Sequence, residues 1–515
     1  MGRYLPGLGQ DFFPSVDGGQ IRLHLRARSG LRIDETAALC DQVEDTIRGI
    51  IPPDELATIV DNVGVPYSGI NLTYSTSAPI GPSDADIYIS LNPRHRPSDD
   101  YVRTLRTRLP LVYPSTLFTY PPADIVSQIL NFGLPAPLDI QVIGYNVDGN
   151  RQYANRLLER MRSVPGAVDL RIHQVFDHPQ LEVNVDRSRA ALLGVTERDV
   201  ASNLLTSLSG SFQTTPSFWI DPKTGSQYSI TAQTPQYRLA SLSDLETTPL
   251  SASAGSTPQL LANLATFRRS VAPGVINHYN AEPVIDIFGA VQDTDLGFVS
   301  GEIDRLIAET QHDLPRGTRV KVRGQIKTMT DSFHGLLAGL AGAVLLIYLL
   351  IVVNFQSWRD PFIIITALPA ALAGIVWMLF LSHTPVSVPA LMGAITCMGV
   401  ATANSVLVIS FARERYEEVG DPVIAALEAG FVRFRPVLMT ALAMIIGMAP
   451  MALGLGEGGE QNAPLGRAVI GGLVFATVAT LLFVPAVFSL AHRGKAAAGA
   501  PSPAPDPDFG EAYAQ

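Results

Sequence analysis

The feature that most constrains this chain is a series of five apolar stretches in its last third. A helix needs roughly 20 predominantly apolar residues to cross a bilayer, and these stretches approach or exceed that length. Charged residues make up only 16% of the 515 residues, against about 25% in an ordinary soluble protein. The sequence therefore predicts a five-helix transmembrane domain over 333–490, with spans at 333–355, 362–381, 387–411, 436–453 and 467–490, the fourth being the shortest.

Arginine and lysine residues in the loops predict how these spans are oriented, because such residues are enriched on the cytoplasmic side. Only Arg467 lies at one end of the spans, whereas the other end carries Arg359, Arg413, Arg415, Arg433, Arg435, Arg493 and Lys495. We therefore expect the arginine-rich end to face the cytosol and residues 1–330 to lie outside it. In a bacterium this describes a multi-pass protein of the inner membrane with a large periplasmic region.

The two ends of the chain raise a question of targeting. The first residues, MGRYLPGLGQDFFPSV, contain no apolar core of signal-peptide length, although an exported region requires a signal. We therefore expect that a preceding span is missing from this chain or is supplied by another protein, with residues 1–11 following that span. The Ala/Pro-rich residues 491–515 are predicted to be a disordered tail.

The region before the spans shows strand and helix patterns in alternation, which is typical of α/β domains. Within 12–130, strand patterns at 19–27, 56–64 and 86–92 alternate with helix patterns at 33–50 and 99–109. This order predicts a ferredoxin-like split βαβ unit. A second such unit is predicted from two segments, 136–188 and 276–328, which are separated by an insertion at 189–275.

Composition and motifs exclude several functional classes. The formal net charge of −10 argues against a nucleic-acid partner. Cys40 and Cys397 lie in different regions, so no structural disulfide is predicted. No metal-ligand cluster, phosphate-binding loop or nucleophile motif is present, so the sequence predicts no metal site, no cofactor and no enzymatic activity.

Several long motifs, in a fixed order, carry a resemblance to a known family. They are LGQDFFPSVDGGQIRLHLRARSGLRIDET near the start, NFQSWRDPFIIITALPAALAG (354–374), RFRPVLMTALAMIIGMAPMAL (433–453) and GRAVIGGLVFATVATLLFVPAVF (466–488). The chain resembles the C-terminal half of a resistance-nodulation-division (RND) efflux permease of the hydrophobe/amphiphile type.

The resemblance implies two porter subdomains, a docking insertion and the last five of twelve spans. It also implies a trimer in the inner membrane that works with an N-terminal half, a periplasmic adaptor protein and an outer-membrane channel. The expected activity is proton-driven export of amphiphilic small molecules. The stretch SGSFQTTPSFWIDPKTG (209–225) resembles the family's docking hairpin, and contacts to a neighbouring subunit are expected there.

The resemblance also names candidate coupling residues. In the family, aspartates in the fourth span carry protons, and a lysine in the tenth span and an arginine and a threonine in the eleventh respond to their charge. The motifs place Arg433 and Thr440 at the eleventh-span positions and Asn404 at a tenth-span position, with Thr402 nearby. Ala403 stands where many members keep the lysine. The predicted spans contain no Asp, Glu or Lys in their central turns.

Simpler roles remain open for these residues. Thr402, Asn404 and Ser405 are also consistent with hydrogen bonds between helices. Arg433 and Arg435 are also consistent with membrane-edge anchors, and Thr440 with a bond to its own helix backbone. The spacing of Gly335 and Gly339 predicts a close helix contact.

The function is open in the same way. Ala403 favours an alternative to transport, in which the chain is a degenerate, non-transporting assembly component of a heteromeric pump. Export of proteins or lipids is a third reading, and it is less favoured because the insertion fits an outer-membrane channel partner.

Overall fold

The computed structural model describes residues 8–66, 75, 77–131, 133–250, 258–456 and 458–493. The chain divides into two compact units, one formed by Met1–Gln174 with Val275–Gln515 and the other by Val175–Gly274. Residues 1–7 of the predicted N-terminal segment and residues 494–515 of the predicted tail lie outside the described residues.

The first sheet is antiparallel and has helices on one face. Its elements follow one another as β1 (Gln20–Arg26), α1 (Ile33–Ile50), β2 (Leu56–Val63), β3 (Asp84–Leu91), α2 (Ser98–Val112) and β4 (Leu117–Thr119), and a short α3 (Ile125–Leu130) follows. The strand order is β2-β3-β1-β4, which is the order of a split βαβ unit. Leu23 and Leu25 of β1 pack with Val43 of α1 and Leu105 of α2 in one buried core.

The second sheet begins with β5 (Leu138–Ile143), α4 (Val147–Met161) and β6 (Ala167–Ile172). The chain then enters the inserted unit. Its elements are β7 (His178–Val185), α5 (Arg187–Leu192), α6 (Glu197–Ser209), β8 (Ser217–Ile220), β9 (Gln227–Ile230), α7 (Leu242–Glu246), β10 (Pro249–Leu250), β11 (Gln259–Leu260), α8 (Leu261–Leu264) and β12 (Ala265–Ala272).

The inserted unit begins earlier than the sequence predicts. The sequence assigns the strand near residue 180 to the second sheet and starts the insertion at residue 189. In the structure β7 pairs with β12 over its whole length, and Val183 and Val185 pack against the core of the inserted unit. The insertion therefore spans Val175–Gly274. A strand pattern alone does not identify the partner strand, which explains this difference.

The second sheet is completed by β13 (Asn277–Tyr279), β14 (Glu282–Val291), α9 (Leu296–Glu309) and β15 (Arg319–Gly324). β14 lies between β5 and β6, β15 pairs with the other edge of β5, and the short β13 pairs with one end of β14. Apart from β13, the order is again that of a split βαβ unit.

The C-terminal region consists of long apolar helices. They are α10 (Gln325–Phe355), α11 (Arg359–Ile365), α12 (Ala367–Leu381), α13 (Val388–Val419), α14 (Pro422–Ala452), α15 (Gly459–Val478), a π-helical segment (Ala479–Phe483) and α16 (Val484–His492). Within the described residues, five helical segments are long and apolar enough to cross a membrane, as the sequence predicts. The fourth begins at Pro422, before its predicted start at 436, because Glu428, Arg433 and Arg435 lower its hydropathy without interrupting the helix.

Glycines allow a close helix contact between α12 and α15. A Cβ atom built on Gly471 would lie 2.2 Å from the Cβ of Met378 and 2.6 Å from the carbonyl oxygen of Gly374. The sequence predicts such contacts at Gly335 and Gly339 instead. Within the described part of this chain nothing lies within 4 Å of a Cβ built at either position, so a contact there requires a partner outside this chain.

Contacts at the helix ends place the sheets relative to the membrane domain. At the arginine-rich end, Arg413 donates to the carbonyl oxygen of Phe355 at 2.7 Å. At the opposite end, the backbone N–H of Asp17, just before β1, donates to the Glu460 carboxylate at the start of α15 at 3.0 Å. The two sheets therefore lie at the end of the helices opposite the arginine-rich end.

Candidate functional site

The structure brings together two of the four predicted coupling residues. Thr440 of α14 donates to the side-chain oxygen of Asn404 of α13 at 3.2 Å, and its hydroxyl also lies 2.9 Å from the carbonyl oxygen of Val437 in its own helix. Asn404 is buried between the helices. This pair can hold α13 and α14 in register, and it is the one direct contact among the four predicted residues in the described part of the chain.

The other two residues lie apart from this pair. Thr402 donates to the carbonyl oxygen of Met398 in its own helix at 2.8 Å. The Arg433 guanidinium lies 5.1 Å from the ring centre of Phe411. It is seven residues, or about 10 Å along the helix, from Thr440. The structure thus places Arg433 near the arginine-rich end of the helices and does not join it to the Thr440–Asn404 contact.

Two further residues of α13, Ser405 and Ala403, lie beside Thr402 and Asn404 in the sequence. The Ser405 hydroxyl lies 2.9 Å from the Thr480 hydroxyl, a buried contact that joins α13 to the π-helical segment. Ala403 lies on an exposed face of the same helix, together with Thr396, Gly399 and Leu407. The position that is lysine in many family members therefore points away from the other helices of this chain.

A second polar arrangement lies on the face of the first sheet opposite its helices. Arg26 donates through Nε to one oxygen of Asp84 at 2.9 Å and through Nη2 to the other at 3.2 Å. On the neighbouring pair, the imidazole of His24 donates through Nδ1 to Asp86 at 2.8 Å. These side chains are at most 9% exposed, although a charged face of a sheet normally contacts water.

The second sheet contributes to the same buried layer. Arg26 donates through Nη1 to the carbonyl oxygen of His173 at 2.8 Å, which joins the two sheets directly. On β5 and β14, the Gln141 amide donates to Asp139 at 3.0 Å and to Asp286 at 3.2 Å. A single amide therefore bridges two buried carboxylates.

Burial changes the protonation of this layer. Burial, and then the nearby charge of Asp286, raise the pKa of Asp139 from 3.8 to about 8. Burial also raises the pKa of Asp286. Burial and the charge of Arg26 lower the pKa of His173 from 6.5 to about 3, so its imidazole is neutral. At neutral pH the Asp139 carboxyl holds a proton, which allows it to lie beside Asp286 without repulsion.

Replacing Asp139 with Asn should remove a pH dependence of stability. Because the folded pKa of Asp139 is raised above its unfolded value, its contribution is fully present below about pH 4 and is lost as the pH rises towards 8. In the wild-type protein we therefore expect the free energy of unfolding of this sheet to fall by about 1.4 kcal/mol for each pH unit between about 5 and 7. Denaturant unfolding at several pH values measures this slope.

Asp148→Asn is the control, because Asp148 lies exposed on α4 of the same sheet. The control should keep the wild-type slope, whereas Asp139→Asn should flatten it. An equal slope in wild type and Asp139→Asn would show that Asp139 does not titrate in this interval.

This layer is not predicted from the sequence, although a signal for it is present there. In β1 the residues Arg22, His24 and Arg26 alternate with leucines, and in β3 the residues Asp84 and Asp86 alternate with apolar residues. Basic side chains therefore stand opposite carboxylates at paired positions of two strands, with Arg26 opposite Asp84 and His24 opposite Asp86. That pairing becomes visible once the register is known, and alternation alone suggests a face that contacts water.

The described residues contain no group of three or more His, Cys, Asp or Glu side chains placed to hold a metal ion. In the inserted unit, the β8–β9 hairpin exposes Phe218, Trp219, Ile220 and Tyr228. The ring centres of Trp219 and Tyr228 lie 5.8 Å apart. An exposed aromatic hairpin of this kind is typical of a protein contact surface.

The described residues thus combine two split βαβ sheets, an inserted unit and five long apolar helical segments. The chain belongs to the AcrB/AcrD/AcrF family of RND permeases, which matches residues 3–492. It is similar to the cation efflux system protein CzcA of Alcaligenes sp. (strain CT14), with 26% identity over 501 residues that cover 94% of this chain and 45% of that protein. It is 28% identical to the nickel-cobalt-cadmium resistance protein NccA of Alcaligenes xylosoxydans xylosoxydans, over 94% of this chain and 45% of that protein.

The fold is also that of a solved heavy-metal efflux pump, crystal form I. The match has a TM-score of 0.78 at 25% identity and covers 94% of this chain and 48% of that one. The chain thus spans about half the length of the relatives it matches. These relatives are named for cations and metals. The motifs, in contrast, predict the hydrophobe/amphiphile type.

Proposed function

We propose that this chain is the C-terminal half of a bacterial inner-membrane efflux permease and that it exports cations together with an N-terminal half. The cargo class follows the names of the relatives and replaces the amphiphilic cargo that the motifs predict. In this proposal the sheets lie in the periplasm and the arginine-rich helix ends lie in the cytosol.

The observation that carries the proposal is the continuity between a sheet and a membrane helix. β15 ends at Gly324 and α10 begins at Gln325, so the 31 residues of α10 run from the second sheet into the membrane domain. At 1.5 Å per residue this helix is about 46 Å long, which exceeds a hydrocarbon core of about 30 Å. A rigid element of this kind can transmit movement between membrane helices and sheets, as transport driven by protons requires.

Partners are part of the same proposal. The exposed face of α13 around Ala403 would pack against the N-terminal half, which would supply the proton-carrying carboxylates. The aromatic β8–β9 hairpin would contact a neighbouring subunit in a trimer. A periplasmic adaptor protein and an outer-membrane channel would complete the export route.

Ala403 supports a second candidate function, that of a non-transporting assembly component. Without the lysine, a carboxylate from a partner half would lack the cation that stabilises its charged form. The two candidates differ in one measurement, which is the zinc, cobalt, nickel and cadmium content of cells that express this chain with an N-terminal half. Export requires a lower content than in vector controls, whereas an assembly component would form the complex without lowering it.

Arg433→Ala and Thr440→Ala should both reduce efflux in such cells. Thr440→Ala removes the hydrogen bond to Asn404, and a loss of about 1 kcal/mol changes a rate about fivefold. The initial rate of metal efflux measures this effect. Arg435→Ala and Thr396→Ala are matched controls on exposed positions of the same two helices, and they should retain wild-type rates. Unchanged efflux in both Arg433→Ala and Thr440→Ala would rule out a coupling role for the pair.

A further inference from the structure

Residues 8–17 form a connector between the membrane helices and both sheets. Leu8, at its start, is buried in a cluster with Leu368, Ala394 and Leu473 of the membrane domain. At its end, Asp17 accepts from the backbone N–H of Ser98, the first residue of α2, at 2.9 Å. The connector therefore begins in the helix core and ends at a helix of the first sheet.

The middle of the connector pairs with the loop between α12 and α13. Gln10 forms a parallel β-bridge with Val386. The N–H of Asp11 donates to the carbonyl oxygen of Val386 at 3.0 Å, and the N–H of Val386 donates to the carbonyl oxygen of Gly9 at 2.8 Å. The N–H of Val388, the first residue of α13, donates to the carbonyl oxygen of Phe12 at 3.2 Å. The loop and the connector are thus joined by backbone hydrogen bonds along this stretch.

The same residues cap α9 of the second sheet. The first N–H groups of a helix have no partner within the helix. Here the N–H of Leu296 donates to the Asp11 carboxylate at 2.8 Å, and the N–H of Gly297 donates to the carbonyl oxygen of Gln10 at 2.8 Å. The N–H of Gln10 donates in return to Asp295 at 2.9 Å. A Cβ on Gly297 would lie 2.8 Å from the Cβ of Gln10, so this fit requires glycine.

We propose that residues 8–17 couple the α12–α13 loop to the first turn of α9, and that proton uptake by Asp11 strengthens this coupling. The inference concerns how movement passes between the membrane domain and the second sheet. It does not depend on the cargo of the proposed function.

The proton dependence follows from where Asp11 lies. Burial, and to a smaller extent the charge of Asp295, raise the pKa of Asp11 from 3.8 to about 6, against the opposing effect of the Leu296 N–H. The other charged groups that line the same cleft as Asp11 are Arg22, Asp99, Arg103, Arg106, Asp124 and Asp293. The α12–α13 loop that pairs with the connector carries one further titratable residue, His383. Because the docked connector raises this pKa, protonated Asp11 favours the docked state and ionised Asp11 weakens it.

Hydrogen exchange of single amides tests the proposal. We measure protection factors, corrected for intrinsic exchange, at Leu296, Gly297, Val386 and Val388 in the purified chain between pH 5 and 7.5. All four should fall together by about tenfold between pH 5 and 7 and level off above that, because a pKa of about 6 in the docked state against 3.8 in the undocked state gives that ratio. The Gly149 amide is the control, because the neutral Asn146 side chain caps it on α4 of the same sheet.

Two variants decide the role of Asp11. Asp11→Asn should hold the four amides at the protection seen at low pH, without pH dependence. Asp295→Asn retains the acceptor to Gln10 and should make the protection level off at a lower pH than in the wild type, so it remains informative if Asp11→Asn does not fold. Wild-type pH dependence in Asp11→Asn, or protection that levels off at the wild-type pH in Asp295→Asn, would overturn the role of Asp11. Loop amides that do not follow Leu296 and Gly297 would overturn the coupling.

Discussion

Asp84→Ala should cost the first sheet about 3–5 kcal/mol of stability, because it leaves the Arg26 guanidinium buried without its carboxylate. Asp84 is 1% exposed and accepts two hydrogen bonds from Arg26, and its Oδ2 also accepts from the N–H of Ile80 at 2.6 Å. The loss should also weaken the contact between the sheets, since Arg26 reaches the carbonyl oxygen of His173 from the same position. Exchange of the buried β1 and β3 amides of Leu25 and Ala85 in denaturant measures the effect.

Two further variants separate the cost of an unpaired charge from the cost of an altered side chain. Replacing both partners, Arg26→Met with Asp84→Leu, should recover most of the loss, because well-packed apolar side chains often replace a buried ion pair without penalty. Asp100→Ala breaks the exposed pair with Arg103 and should cost less than about 1 kcal/mol. If Asp84→Ala cost no more than Asp100→Ala, the buried layer would not hold the sheets as described.

Gly471→Leu should prevent the membrane domain from packing. The new side chain would begin 2.2 Å from the Cβ of Met378 and 2.6 Å from the carbonyl oxygen of Gly374, a backbone atom that cannot move without moving its helix. α12 and α15 must then separate, at a cost of about 3 kcal/mol or more. Thermal unfolding of the purified chain in detergent, followed by circular dichroism, measures the change.

Gly339→Leu on α10 is the matched control for this substitution. Nothing described lies within 4 Å of a Cβ at Gly339, so the larger side chain has room and the midpoint should stay near that of the wild type. Equal losses in both variants would show that the α12–α15 contact has no special role in packing.

The elements with the strongest patterns could be predicted from the sequence. Five spans were predictable because each is a long apolar run, and the helix at Ile33–Ile50 was predictable to the residue because its apolar side chains repeat at helical spacing. α10 extends eight residues before its predicted start, since its first turns, from Gln325 to Asp331, are polar and continue outside the apolar run. The part of a helix that lies in lipid is apolar and the part that extends into water is polar. Hydropathy therefore detects only the part in lipid.

Pairing and contact could not be predicted in the same way. β7 has a strand pattern that fits either sheet, and only the position of β12 decides between them. Gly335 and Gly339 have the same spacing as glycines that do pack, but no helix of the described chain lies against them. The motif that names Arg433 and Thr440 together gives their roles in a family and not their contacts, which are Asn404 for Thr440 and the ring of Phe411 for Arg433.

The most direct test of the account is the side of the membrane on which each region lies. Cysteines introduced at Lys223, Glu159 and Glu417 are suitable, because all three positions are exposed and the native Cys40 and Cys397 are buried. A thiol reagent that does not cross the inner membrane should label Lys223→Cys and Glu159→Cys in cells with a permeable outer membrane, and Glu417→Cys only after the inner membrane is opened. Labelling of Glu417→Cys in closed cells, with protection of the other two, would contradict the orientation and the export function that depends on it.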